Sequence, residues 1–467
     1  MSPYNYNVRP RHRRKAGPRV RRVRGEAFLA LALLNIFVLI TGLVALDVIE
    51  ARPLSAVPNP VTRADGVAAV APATPTPADP VRIADILDDP MSSSGLEEGL
   101  SGYVVDGVTG ETLFERDADT PVTPASTTKI ATAVAVLDTV GPDHVLRTGA
   151  HLDAEENRVV LRGGGDVTLT ATADSAAYPQ VATLEELAED TAAALAERGL
   201  DTVTVGYDDS LFTGPDTAPG WKPTYVTEGS TATIHALMVD SGRVDTDVLT
   251  RSANPPLAAA EAFADQLEKA GLTVEGSPDE AEASGEPVAT VDSMPMSALV
   301  EFMMLASDNN MAESLGRITA LEMGEEPDHA GAAVATHRVM DGLGIEGVRL
   351  SDNSGLSTEN RITPRALVQL VKAAADEPRL NATITGLPTA HSTGTLAGRY
   401  SENSSSHAAA GLVRGKTGTL DGVSTLAGTI HDQEGNVFVF ALMANRPGAS
   451  GPQLDTLATA LSQCGCG

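Results

Sequence analysis

Apolar and polar positions recur along this chain in two periods, and the periods predict its elements. Residues 101–116 (SGYVVDGVTGETLFER) read as two short strands joined by a turn around Gly107–Gly110. Ile130, Val134 and Leu137 fall at helical spacing behind Pro121, Pro124 and the polar Ser126, so a helix is expected to open at that serine. Amphipathic runs ended by glycine predict helices over 182–199 and 257–271. Further apolar periods cover 297–304, 312–322, 331–343 and 366–375, while Val203 and Val205 alternate as a strand does. Thr425–Ile430 and Asn436–Ala444 predict a strand pair around a turn at Asp432–Gly435. Ser450–Leu461 predicts a last helix with Pro452 in its first turn. Strands at both ends with helices between them imply an α+β fold, an antiparallel sheet flanked by helices.

The N-terminal stretch has a different pattern. Ala27–Leu46 is a run of 20 uncharged, mostly apolar residues, enough helix to span roughly 30 Å of hydrocarbon. Residues 1–24 before it hold nine basic residues and no acid. That asymmetry predicts a cytoplasmic arm (1–26), a transmembrane signal anchor (27–49) and an extracytoplasmic bulk. Secretion after signal cleavage is the alternative, although Val44-Ala45-Leu46-Asp47 is a poor cleavage site. Residues 50–81 are rich in Pro, Ala, Val and Thr and read as an extended linker.

The whole chain carries 62 Asp+Glu against 33 Lys+Arg, a formal charge of −29. Without the nine residues of the arm, 24 basic residues face 62 acidic ones, a net of −38. Such a surface excludes a general nucleic-acid binder. Aromatics make up 3% of the chain, so its core must be built mainly of Ala, Val and Leu. Its two cysteines, Cys464 and Cys466, exclude a disulfide scaffold and a cysteine-rich zinc site. An oxidising exterior favours a disulfide between them without a functional role.

Lysine is scarce: only positions 15, 129, 222, 269, 372 and 416 carry it. Two of these fall in short motifs. Ser126-Thr127-Thr128-Lys129 is S-x-x-K, Ser307-Asp308-Asn309 is S-D-N, and Lys416-Thr417-Gly418 is K-T-G. Each alone is weak, but in this order they mark serine acyl-transfer sites. Ser126 and Lys129 share a helix face. A neutral Lys129 amine can take the serine proton and activate the hydroxyl. That requires a depressed amine pKa, which burial and a nearby positive charge such as Lys416 produce. Lys416 also suits a substrate carboxylate, Ser307 can relay a proton, and Asn309 offers an amide that donates and accepts. This chemistry needs no metal and no cofactor.

The chain from about residue 82 to 463 resembles the D-alanyl-D-alanine carboxypeptidase/endopeptidase family, the class C penicillin-binding proteins (peptidase family S13). Beyond the trio, Gly163–Thr170, Pro219-Gly220-Trp221, Ser307–Glu313, Ser351–Ser357 and Gly386–Leu396 resemble its segments. Val167, Asn353, His391 and Ser392 depart from the usual residues. The resemblance implies a penicillin-binding, serine β-lactamase-like fold. It implies peptidoglycan stem peptides as substrate and covalent acylation by β-lactams. It also implies substrate contacts at Thr417, Gly418, Thr419 and Leu420, with the N–H groups of Ser126 and Thr419 as oxyanion hole. The long interval from Ser126 to Ser307 implies an inserted domain at 151–289 within a catalytic domain of 82–150 and 290–463.

Other readings stay open beside this one: a β-lactamase or esterase of the same fold, or a non-catalytic wall-binding or β-lactam-sensing protein. Glu377-Pro-Arg-Leu380-Asn381 fits the E-x-x-L-N pattern of a deacylating glutamate. It lies nearer K-T-G than S-D-N, so a long-lived penicillin acyl-enzyme is expected. Asp308, Glu313 and Arg317 read as structural, Asp166 as a turn residue, His391 as a solvated loop residue and Trp221 as packing.

Overall fold

The structure, a computed structural model, describes residues 78–173, 179–245 and 248–465. The expected arm, the anchor at 27–49, most of the linker and Cys466 lie outside these residues. Among the described residues no helix is long and apolar enough to cross a membrane.

The first described element is helix α1 (Pro80–Ser93), capped by Asp79. Strands β1 (Leu100–Asp106) and β2 (Thr112–Arg116) form the first hairpin, and α2 (Thr128–Thr139) follows. Next come β3 (Arg147–Asp153), β4 (Arg158–Arg162), α3 (Leu184–Ala196), β5 (Thr202–Asp208) and α4 (Pro255–Lys269). Three short strands end this stretch: β6 (Thr273–Val274), β7 (Asp279–Glu280) and β8 (Ala289–Asp292). Helices α5 (Met296–Ala306), α6 (Asn309–Glu322) and α7 (His329–Gly342) precede the small pair β9 (Val348–Arg349) and β10 (Arg361–Ile362). Then come α8 (Pro364–Asp376), α9 (Ala382–Thr385), β11 (Val413–Leu420), β12 (Val423–His431), β13 (Val437–Asn445) and α10 (Gly451–Ser462).

Five strands make an antiparallel sheet in the order β11-β12-β13-β1-β2. The period of two in β13 assigns its faces. Val439, Ala441 and Met443 join a core with α2, α5, α6 and α8. Phe438, Phe440, Leu442 and Ala444 join a second core with α1 and α10. The sheet is thus sandwiched between helices, and every residue of α2 from Ile130 to Leu137 is buried. Ala131, Ala133 and Ala135 let neighbouring elements approach that helix closely, in keeping with the low aromatic content.

A second sheet, in the order β6-β5-β4-β3-β8, lies between Arg147 and Asp292 in sequence. Its strands β4, β5 and β6 run parallel. Ala150, Val159, Leu161, Val203 and Val205 pack with α3 and α4 into a third core. The described residues of 209–245 and 248–250 have almost no regular structure before the chain enters α4.

Candidate active site

Ser126 sits in a single 3₁₀ turn, Ala125–Thr127, that leads into α2. Ala125 has φ 48°, a left-handed conformation that a residue with a side chain rarely adopts. Lys129 is fully buried one turn on. Its Nζ lies 3.2 Å from Ser126 Oγ, 2.7 Å from Asn309 Oδ1 and 2.6 Å from the Ser354 carbonyl. The last two oxygens can only accept. Asn309 Nδ2 donates to the Ser230 carbonyl at 2.8 Å, which fixes which end of the amide faces the lysine. A neutral amine therefore spends both hydrogens on Asn309 and Ser354 and keeps its lone pair for the Ser126 hydroxyl.

Burial pushes the Lys129 amine down to about 8, against Asp352, Asp308 and Glu313, which favour its charged form. Sequence reasoning credits Lys416 with part of that depression. The repulsion instead weighs on Lys416, which burial first and Lys129 second push well below its ordinary value.

Ser307 ends α5 in a left-handed conformation, φ 58°. This bend lets Asp308 cap α6, accepting from the Met311 N–H at 2.8 Å. Lys416 Nζ donates to Ser307 Oγ at 2.8 Å and to the Thr417 carbonyl at 3.1 Å. In sequence the K-T-G triplet precedes the strand pair expected from Thr425 onward. It lies inside β11, because two glycines and a lysine carry no alternating signature and pairing with β12 decides the conformation. The Gly415 N–H points away from β12, donating to the Pro388 carbonyl. By the period of two, the main-chain groups of Thr417 and Thr419 face the same open side. Thr417 is buried, its hydroxyl 2.8 Å from that of Thr395, while Thr419 is exposed and Leu420 half-buried. Gly418 packs beside Ser126.

Thus Ser126, Lys129 and Asn309 form one hydrogen-bonded group, Ser307 and Lys416 another, and Gly418 of β11 touches the first. Two cavities, of about 800 and 630 Å³, lie elsewhere, and neither is lined by these residues.

Sequence reasoning did not find the parts that hold the group. The Ser230 and Ser354 carbonyls are main-chain atoms and carry no residue signature. Asp352 is buried and accepts from Trp221 Nε1 (2.7 Å), Ser354 Oγ (2.9 Å), Asn360 Nδ2 (2.6 Å) and the N–H groups of Gly355 and Ser357. Burial raises its carboxyl, as does Glu313. Trp221 thus anchors the irregular segment to this loop as well as packing edge-on against His329. Asp166 caps its own turn through Thr168, and His391 is exposed.

The fold has a solved counterpart in penicillin-binding protein 4 (dacB) from Haemophilus influenzae. That likeness has a TM-score of 0.64 at 20% identity and covers 81% of this chain and 98% of that one. Carboxypeptidase DacB of Mycolicibacterium smegmatis is 37% identical over 458 residues, 95% of this chain and 97% of that protein. Carboxypeptidase Rv3627c of Mycobacterium tuberculosis is 35% identical over 425 residues, 88% and 89% of the two chains. The family described as D-Ala-D-Ala carboxypeptidase 3 (S13) matches residues 82–252 and 245–463, a span that contains Ser126, Lys129, Ser307, Asn309 and Lys416. By that match and those relatives, the chain belongs to the D-Ala-D-Ala carboxypeptidase 3 (S13) family.

Proposed function

We propose that this chain is a serine DD-peptidase that cleaves the D-Ala-D-Ala bond of peptidoglycan stem peptides, as a carboxypeptidase and on cross-links as an endopeptidase. The observation that carries the reading is the three-way environment of Lys129 Nζ, which leaves its lone pair for Ser126.

Ser126 Oγ attacks the carbonyl carbon of the penultimate D-Ala while its proton passes to Lys129. The N–H groups of Ser126 and Thr419 take the developing oxyanion. The carbon–nitrogen bond breaks, the leaving amine is protonated through Ser307, and D-Ala departs. Water then hydrolyses the serine ester. Lys416 and the open edge of β11 suit the terminal carboxylate and the extended peptide. A β-lactam carries a carboxylate beside its strained amide and enters the same path, leaving an acyl group on Ser126.

Residues 82–150 and 290–463 are read as the catalytic part and 151–289 as an insertion. The apolar run Ala27–Leu46 behind a basic arm supports a single-pass anchor over 27–49 with the catalytic part outside. A cell membrane fraction that releases the full chain into alkaline carbonate without detergent would refute the anchor. For the activity, the decisive assay is D-Ala released from a D-Ala-D-Ala stem peptide. Ser126→Ala is expected to abolish both that release and covalent labelling by penicillin. Stoichiometric labelling of Ser126→Ala would overturn the assignment of the nucleophile.

A further inference from the structure

We infer that Glu313 is the positioning residue of the Lys129 amine, holding the Ser354 carbonyl against it and facing it with a buried negative charge. The inference rests on Lys129 being the general base.

Glu313 is fully buried, and both its oxygens are occupied. Oε1 accepts from the N–H groups of Asn353 (3.0 Å) and Ser354 (2.8 Å). Oε2 lies 3.0 Å from His329 Nδ1 and 3.5 Å from Arg317. The two peptide planes that meet at Ser354 are each held at both ends. In the first, the Ser354 N–H goes to Glu313, and the Asn353 carbonyl accepts from Thr132 Oγ1 at 2.7 Å. In the second, the Gly355 N–H goes to Asp352 at 2.9 Å, and the Ser354 carbonyl goes to Lys129 at 2.6 Å. Thr132 and Lys129 lie on one face of α2 and Glu313 on α6, so the loop is stapled between those helices. Without Glu313 the first plane loses its only carboxylate anchor, and the second keeps Asp352 and Lys129 but loses the fixed Ser354 N–H on which its placement depends.

The charge acts in the same place. Burial opposes ionisation of Glu313, but His329, Arg317 and the Ser354 N–H outweigh it and bring the carboxyl down to about 2. It is therefore an anion wherever the enzyme is assayed. The charged groups that face Lys129 are Asp308 from the N-cap of α6, Glu313 from α6, Asp352 from the loop and Lys416 from β11. The three carboxylates favour the ammonium form, so deleting one of them favours the free amine.

Two substitutions separate charge from reach. Glu313→Gln keeps an oxygen for both N–H groups and can donate to His329 Nδ1, but it has no charge. The acidic limb of kcat/KM on a D-Ala-D-Ala peptide is expected to move to lower pH, by about half a unit to one unit. Glu313→Asp keeps the charge and is one methylene too short to hold both N–H groups. Its acidic limb should stay in place while kcat falls on the order of tenfold and KM is retained. Parental pH profile and kcat in both variants would overturn the inference, as would a limb displaced to higher pH in Glu313→Gln. Failure of both variants to fold, read by far-UV circular dichroism, would make Glu313 a folding residue only and would also overturn it. Lys129→Met, assayed beside them, must lose penicillin labelling. If it does not, the assignment of the base fails, whatever Glu313 does.

Discussion

A methyl group on Gly418 would stand 2.9 Å from the main-chain nitrogen of Ser126 and would also meet the Pro124 carbonyl and the Thr425 hydroxyl. Only a glycine lets β11 lie this close to the nucleophile. Gly418→Ala is expected to fold, because β11 is the edge strand of its sheet and Thr419 beyond the glycine is exposed, and to lose its oxyanion geometry as that end is displaced. Acylation by penicillin should slow on the order of 10²-fold or more, measured by the rate of covalent labelling, with thermal unfolding as the control.

The parent enzyme should show the state of Lys129 in its pH profile. The amine acts as a base only when unprotonated, and it loses its proton through about 8. The acylation rate is therefore expected to climb with pH from neutrality through that value and then level. A rate that is flat from pH 6 to pH 9 would contradict a lysine base.

Trp221 is the only tryptophan in the chain. Trp221→Phe keeps most of the packing against His329 and removes the donor 2.7 Å from Asp352. Ser354, Gly355, Ser357 and Asn360 still serve that carboxyl, so the loss should be about 1–3 kcal/mol, read by urea unfolding with far-UV circular dichroism. In the parent, Trp221 fluorescence gives a single-site report on the 352–357 loop.

Glu377 stands apart from the chemistry. Its neighbour Arg379 bonds Asp138, near the far end of α2, and Glu377 itself at 3.2 Å. Ten residues of helix separate Asp138 from Thr128, about 15 Å at 1.5 Å per residue. Glu377→Ala should leave the half-life of the penicillin acyl-enzyme within twofold of the parent. A marked lengthening would make Glu377 a deacylating residue after all.

What was readable in the sequence follows from where each signal resides. Ser126 and Lys129 announce themselves because their chemistry needs them three residues apart. Asn309 does so through the S-D-N triplet, and Lys416 because a scarce lysine falls in K-T-G. Glu313 lies within one such motif, yet its bond to Asn353 spans 40 residues, and no local spacing encodes it. Ser230 acts through its carbonyl from an irregular segment, where periodicity is silent. Helix α1 had a signal, Ile83, Leu87 and Met91 on one face, but Pro90 and the proline-rich approach obscured it. Strands β3 and β4 offer few alternating apolar positions, so the second sheet has little local signature beyond the long interval between motifs.

The first and last strands of the five-stranded sheet are neighbours: β1 pairs with β13, and the Thr123 N–H reaches Asn445 across 322 residues. The edge strand that carries Lys416 docks on β12, and β12 docks on β13. Long-range pairing of this kind comes late in folding, because the chain must close a large loop before any contact rewards it. A growing chain therefore holds its serine and Lys129 long before the rest of the site exists. The peptidase is silent until its C-terminal hairpin has been made and seated. No stray acyl-transfer activity therefore arises while the chain is incomplete.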